Sequence, residues 1–120
     1  MTKNSNSKQY DLEDRTLQFA RQVREFVRML NKDVSNTEDA KQLVRSSGSV
    51  GANYIEANDS LGKKDFLMHI RISRKEAKES RYWLQLVYVS SQKQEELRAG
   101  LIQESKELMN IFGAILRNSQ

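Results

Sequence analysis

The 120-residue chain contains no cysteine, no proline, one histidine and only five glycines. Without cysteine there is no disulfide framework and no thiol nucleophile, so nothing requires an oxidising compartment. Proline and glycine are frequent in loops, and their scarcity predicts short connections between long regular elements. No apolar run approaches the roughly 20 residues that span a bilayer, and the polar start lacks the apolar segment of a signal peptide. We therefore predict a cytoplasmic protein that does not bind membranes.

Apolar residues recur at intervals of three and four along four segments, which is the pattern of amphipathic helices. They predict helices over residues 11–31, 37–58 and 62–90, and a last helix from about Ser91. Asp11 with Asp14, and later Ser35-Asn36-Thr37, are typical of helix starts. Four such helices with short links predict an all-α fold, an up-down-up-down antiparallel four-helix bundle. We assign residues 11–118 to this single domain and residues 1–10 to a disordered tail.

Catalytic and metal-binding patterns are missing. A di-iron bundle needs two Glu-x-x-His pairs, whereas the chain has none and a single histidine, His69. The serine-rich segment RSSGSVGAN lacks a Gly-x-Ser-x-Gly pattern, and no glycine-rich phosphate loop occurs. Glu76 and Glu79 could act as paired carboxylates, but salt bridges on an oligomer face or to neighbouring lysines are favoured. We predict a protein with no enzymatic activity, metal or cofactor.

Positive charge is concentrated in one segment. The formal net charge is +4, and residues 63–81 hold seven basic and three acidic residues, which is the whole excess. Within this segment, helical spacing places four residues in a line that we call the basic stripe: Arg71, Arg74, Lys78 and Arg81. Lys63 and Lys64 precede it, and a shorter basic line on the first helix consists of Arg21, Arg24 and Arg28. A basic stripe can follow the phosphates of RNA or DNA, although most charged helix faces are merely solvated.

Two further lines lie outside the core faces of the middle helices. The line on the third helix consists of Ile72, Glu76, Glu79, Trp83 and Leu86. We favour a self-association surface there over a wide core margin, because a monomeric bundle does not need a second apolar line. The line on the second helix is small in its middle and charged at its ends: Arg45, Ser49, Ala52, Asn53 and Glu56. Its spacing fits an interface and a solvated face equally well.

Two groups of residues in these helices match the pattern of a known family. The first group is Arg45, Ser46, Ser49, Asn53 and Glu56. The second begins at Asp65 and Phe66 and continues through Lys75, Glu76, Ala77, Glu79, Tyr82, Trp83 and Leu84. In both groups of residues, the chain resembles the bacterial four-helix proteins named for the 23S rRNA intervening-sequence protein. A weaker similarity to these proteins extends from Tyr10 to Phe112. The chain departs from them at Ala57-Asn58, where many members have glycine after the glutamate.

The resemblance implies a four-helix fold assembled into a ring, which is a homopentamer in related proteins, some of them encoded within insertions of 23S rRNA genes. A similar bundle is the accessory protein of the reverse transcriptase of diversity-generating retroelements, where a basic ring contacts nucleic acid. We expect an oligomer that uses Arg45, Asn53 and Glu56 at its interface and binds RNA or DNA non-specifically through the basic stripe. The alternative is a scaffold that recruits a protein partner and whose charge is incidental.

Overall fold

Four helices account for nearly all of residues 11–119, the part of the chain that the computed structural model describes. Their bounds are α1 Leu12–Met29, α2 Val34–Asn58, α3 Lys63–Leu86 and α4 Gln92–Asn118. No strand occurs within this range, which confirms the all-α prediction. None of the helices is long and apolar enough to cross a bilayer. The predicted tail over residues 1–10 lies outside the described residues.

Each helix runs antiparallel to the next. Ser46 of α2 contacts Ser80 of α3, and farther along α2 Val50 contacts Ser73, which comes earlier in α3. Helix α1 packs on α2 and α4, and α3 packs on the same two helices from the opposite corner. Helices α1 and α3 are therefore diagonal, and the chain has the predicted up-down-up-down order.

The core is formed by apolar side chains from all four helices. The largest side chains with almost no exposure are Phe19, Val23, Phe26, Leu43, Val50, Ile70, Leu84, Leu108 and Phe112. Burial of each stabilises the fold by about 1.5–3 kcal/mol relative to exposure. Other large side chains on the helices are covered less completely, since Leu97 is exposed and Phe66 and Tyr54 are half-buried.

Several predicted helix ends are wrong, and side-chain hydrogen bonds explain two of them. Helix α2 begins earlier than predicted because Asp33 caps it, accepting a hydrogen bond from the Asn36 amide at 2.8 Å. Helix α3 ends at Leu86 and not near residue 90, because the Tyr88 backbone pairs with the Asn36 side chain, at 2.9 Å through its N–H and 3.0 Å through its carbonyl. At α1, Asp11 occupies the cap position but its side chain makes no capping bond.

Two buried amide side chains tie the loops together at one end of the bundle. Asn36 also donates to the Asn31 carbonyl at 3.1 Å, so it links the α1–α2 and α3–α4 connections. Gln94 donates to the Met29 carbonyl and accepts from the Ser90 amide, both at 2.9 Å. Both amides have partners for donor and acceptor atoms, which offsets the cost of burying them.

Gly51 allows α2 to approach α1 closely. A β-carbon at position 51 would lie 2.7 Å from the Thr16 hydroxyl oxygen and 3.1 Å from its β-carbon. Thr16 is buried, and its hydroxyl donates to the Glu13 carbonyl at 2.9 Å, so it has little room to move. The residue at position 51 therefore controls the spacing of the two helices.

We expect Gly51→Ala to lower the free energy of unfolding by about 1–3 kcal/mol, because overpacking outweighs the gain of about 1 kcal/mol in helix propensity. The matched control is Gly100→Ala on α4, where no atom lies within 4 Å of an added β-carbon. That variant keeps the propensity gain and should be more stable than the unchanged protein. Urea denaturation measures both, and equal stabilisation of the two variants would contradict the packing argument.

Candidate functional site

The basic stripe lies along the exposed side of α3, next to α4. Arg71, Arg74 and Lys78 are exposed, and Arg81 is half-buried. The stripe lies beside the buried line of α3 because its residues follow core positions such as Ile70 and Ala77 by one to four residues. Within residues 11–119, no carboxylate lies within 4.0 Å of a stripe cation.

Lys63 and Lys64 lie in the first turn of α3, and both are exposed and likewise unpaired with carboxylates of the described chain. Arg81 lacks hydrogen-bond partners as well as ion pairs at one atom: its Nε is buried and has no hydrogen-bond partner among the described residues. Buried donors usually have a partner. The basic stripe, together with Lys63 and Lys64, therefore supplies six cations that are not neutralised within the described chain.

The basic line on α1 is not part of this surface. Helix α1 lies diagonally opposite α3, so Arg21, Arg24 and Arg28 face a different side of the bundle. Arg24 donates to the Ala20 carbonyl of its own helix at 3.1 Å. Arg28 lies 3.8 Å from Glu25 in an exposed pair. The two predicted groups of nucleic-acid contacts thus form two separate surfaces, and among residues 11–119 the one on α3 has no ion pairs whereas the one on α1 includes the Arg28–Glu25 pair.

Carboxylates gather in the groove between α1 and α4. The groove has a volume of about 1190 Å³, and its acidic lining residues are Asp11, Asp14, Glu25, Glu96, Glu104 and Glu107. Arg15 crosses it, with its Nε 2.7 Å from Glu104 and its Nη2 2.7 Å from Glu107. Hydrogen bonding to Glu104 raises the pKa of Arg15, and hydrogen bonds from Gln103 and Arg15 lower the pKa of Glu107. This acidic groove and the basic stripe lie on different edges of the bundle.

Glu76 and Glu79, predicted at an oligomer interface, are paired with Arg45 within the chain. Arg45 Nη2 lies 3.2 Å from Glu76 and 3.1 Å from Glu79, so one guanidinium of α2 bridges two carboxylates of α3. The Glu76 side chain is 9% exposed, and Arg45 supplies its only ion pair among the described residues. The favoured bridges to the neighbouring lysines do not form among the described residues, although Lys75 and Glu79 have the i,i+4 spacing of a helical ion pair, because both carboxylates pair with Arg45 instead.

Further members of the two family-like motifs also meet between α2 and α3. The Ser46 and Ser80 hydroxyls share a hydrogen bond of 2.8 Å. The Asn53 side chain donates to the Ser49 carbonyl at 3.0 Å, and its oxygen lies 3.1 Å from Nδ1 of His69. The sequence did not predict these contacts, because a helical wheel shows the face on which a residue lies but not its partner on another helix. Alignment of α2 and α3 in antiparallel register would have placed the two motifs opposite each other.

The outer side of α3 carries apolar residues that the core does not cover. Ile72 and Trp83 are half-buried, as expected for a second apolar line, and Leu86 is 50% exposed. The structure adds Met68 and Tyr82, which are 45% and 56% exposed and were not predicted. The Tyr82 and Trp83 rings meet edge to face with centroids 5.0 Å apart. We call these five residues the outer apolar patch.

The remaining interface candidates lie on α2 beyond the polar contact. Ala52 and Glu56 are exposed, and Ser49 is half-buried. Ala52 lines a shallow groove between α1 and α2, beside Gly48 and Gly51. Glu56 forms no ion pair with any residue from 11 to 119. The interface role predicted for Ser49, Ala52 and Glu56 therefore depends on their full or partial exposure alone.

Comparison with known proteins agrees with the resemblance. Residues 8–114 match the family model described as 23S rRNA-intervening sequence protein. A solved structure from Bacteroides thetaiotaomicron, a protein of unknown function from the S23 ribosomal protein family, superimposes with a TM-score of 0.75. It is 29% identical, and the match covers 87% of this chain and 96% of that one. No curated protein matches the chain. Because the family model covers most of the sequence and both motifs meet in the α2–α3 contact, the chain belongs to the 23S rRNA-intervening sequence protein family.

Proposed function

We propose that this protein is a non-enzymatic oligomer that binds RNA or DNA without sequence specificity through the basic stripe of α3. The observation that carries the proposal is the absence of carboxylate partners for the stripe within residues 11–119. Cations without internal ion pairs can contact phosphates directly and release the counterions of the nucleic acid. Arginine adds bidentate hydrogen bonds to phosphate oxygens.

The dimensions of the stripe suit a phosphate backbone. Residues 71–81 extend about 15 Å along the helix axis, and one strand of a duplex carries one charge per 3.4 Å of its axis. Several phosphates therefore lie within reach of one chain. Contacts of this kind position a protein but carry no sequence information, which supports non-specific binding.

We further propose that the chain assembles into a ring, a homopentamer as the family resemblance implies, through the outer apolar patch. The patch places Leu86 and Tyr82 in solvent in the isolated chain, where contact with a second copy would bury them. It lies on the same helix as the basic stripe, so a ring would repeat the stripe at regular intervals. The charge of +4 per chain would then add up over the copies.

Replacement of Arg71 and Lys78 together by Gln should weaken binding of a fluorescent single-stranded RNA several-fold at 50 mM salt. The slope of log affinity against log salt should also become less steep by at least about 1, because each lost phosphate contact removes about 0.7 from it. Fluorescence anisotropy across a salt series measures both quantities. RNAs of unrelated sequence should respond alike.

The matched control replaces Lys32 and Lys93 by Gln. Both are exposed lysines without ion pairs among residues 11–119, and the net charge falls by the same amount. This variant should keep most of the affinity. If both double variants lose affinity equally, binding follows net charge and not the stripe. If the unchanged protein does not retain RNA or DNA at low salt, the proposed function is wrong.

The oligomer proposal predicts a mass several times 13.9 kDa by light scattering on a size-exclusion column. Leu86→Glu combined with Ile72→Glu should lower this mass, because a charge within an apolar contact is costly to desolvate. Leu61→Glu is the control, since Leu61 is fully exposed in the α2–α3 connection and lies outside the patch. A monomer in the unchanged protein, or an unaltered mass in the double variant, would exclude the outer apolar patch as an interface.

A third groove supports the alternative function, recruitment of a protein partner. It lies between α1 and α2, has a volume of about 610 Å³ and an apolar lining that includes Val27, Leu30, Ala40 and Val44. Basic side chains also line it: Lys32 has no ion pair among residues 11–119, whereas Arg28, Lys41 and Arg45 already pair with carboxylates of the chain. An apolar groove with basic lining residues is complementary to an amphipathic helix with an acidic polar face. We take such a helix as the partner in this second proposal.

This alternative predicts that crosslinking in cells captures a protein whose recovery survives nuclease treatment and is lost with Ala40→Glu. Ala40 is half-buried in the groove, so the new carboxylate removes apolar contact and repels an acidic helix. Ala99→Glu, at an exposed position of α4, should leave the capture unchanged. Recovery of the same protein with Ala40→Glu would show that the groove does not recruit it.

A further inference from the structure

Gly113 of α4 marks a point where two arginines from different helices meet. A β-carbon built on this buried glycine would lie 3.5 Å from Nη1 of Arg117 and 3.7 Å from Nε of Arg74. Arg117 comes from the last turn of α4, and Arg74 is the second residue of the basic stripe on α3. The absence of a side chain at position 113 thus leaves space in which both guanidinium groups lie against α4.

This arrangement brings two positive charges together without a counterion from the described chain. Neither Arg74 nor Arg117 forms an ion pair with a carboxylate of residues 11–119. Like charges at short range repel each other. Two guanidinium groups that converge on one point therefore favour a shared anion there, and their planar N–H groups match the oxygens of a phosphate.

Arg81 extends the same side of α3. It lies seven residues, or two helical turns, beyond Arg74, and therefore lies on nearly the same face of the helix. Its Nε is buried and lacks a hydrogen-bond partner in the described chain. The α3–α4 boundary thus has unneutralised arginine groups at two levels, and Gly113 marks the level at which both helices contribute.

We infer that Arg74 and Arg117 form a phosphate-binding site above Gly113. The ligand class is a phosphate group with at least two free oxygens, as a phosphodiester of a nucleic acid or as free inorganic phosphate. If the phosphate belongs to a nucleic acid, this site is part of the proposed function and rests on it. If the ligand is free inorganic phosphate, the site is independent of that function. It adds α4 to the interface, through a residue that sequence analysis did not select. The site differs from the rest of the stripe because two helices fix its geometry.

The first test uses inorganic phosphate alone. Phosphate should raise the melting temperature of the unchanged protein in a saturable manner, relative to sodium chloride of equal ionic strength. Arg74→Gln and Arg117→Gln should each lose most of this increase, whereas Lys93→Gln, with the same loss of charge, should retain it. Because phosphate also stabilises proteins through exclusion from their surfaces, the difference between variants is the decisive quantity.

A further variant, Gly113→Asp, tests the same site while both arginines are retained. An added β-carbon meets only ordinary contact distances at this position, so a small side chain fits. The new carboxylate would stand between the two guanidinium groups and replace the anion. We expect a melting temperature above that of the unchanged protein at low salt and no further increase with phosphate.

RNA binding by the same variants separates the two phosphate sources and the two proposals. Loss of the phosphate response together with several-fold weaker RNA binding supports a site for the nucleic-acid backbone. Loss of the phosphate response with unchanged RNA binding supports a site for free phosphate. A saturable, arginine-dependent phosphate response in a protein that does not bind RNA or DNA leaves the site in place and overturns the proposed function. A response to phosphate that survives in both arginine variants and in Gly113→Asp overturns the site, whatever the RNA result.

Discussion

The close contact between α2 and α3 is the interaction on which the rest of the structure depends. Serines at positions 46, 73 and 80 are small enough for the two helices to approach, and their hydroxyls bond across the contact or to the helix backbone. At the edge of this contact Arg45 neutralises Glu76, whose carboxylate is almost completely covered. Loss of Arg45 would leave the covered carboxylate of Glu76 without a counterion, so the bridge favours this register of the two helices over shifted ones.

The same pairing shapes the charge of the surface. Arg45 pairs with two of the three acidic residues of segment 63–81, on the side of α3 that faces α2. The other side of α3, towards α4, is left with cations only, since Asp65 lies near His69 at the start of the helix. The local excess of positive charge in the sequence therefore becomes a surface without carboxylates. Structural and electrostatic roles are divided between two sides of one helix.

Periodicity was sufficient to predict the architecture, because the spacing of residues such as Phe19, Leu43, Ile70 and Leu108 depends only on helix geometry and burial. It failed where the decisive partner is distant in sequence. Asn36 ends α3 through hydrogen bonds to Tyr88, and nothing in residues 84–90 indicates that end. Arg45 is exposed, as its place outside the core face predicts, but its partners Glu76 and Glu79 could not be predicted, because a helical wheel has no information on the opposing helix. Arg117 was missed because its significance depends on Gly113 and Arg74 together.

The acidic α1–α4 groove and the basic side of α3 are separated in space, so each chain has an electric dipole moment in addition to its net charge. A charged surface that approaches the protein exerts a torque on such a charge distribution before any atoms touch. A polyanion would turn α3 towards itself and the acidic groove away. Encounters from unfavourable directions would then be corrected during approach, which raises the fraction of collisions with a polyanion that end in contact with α3.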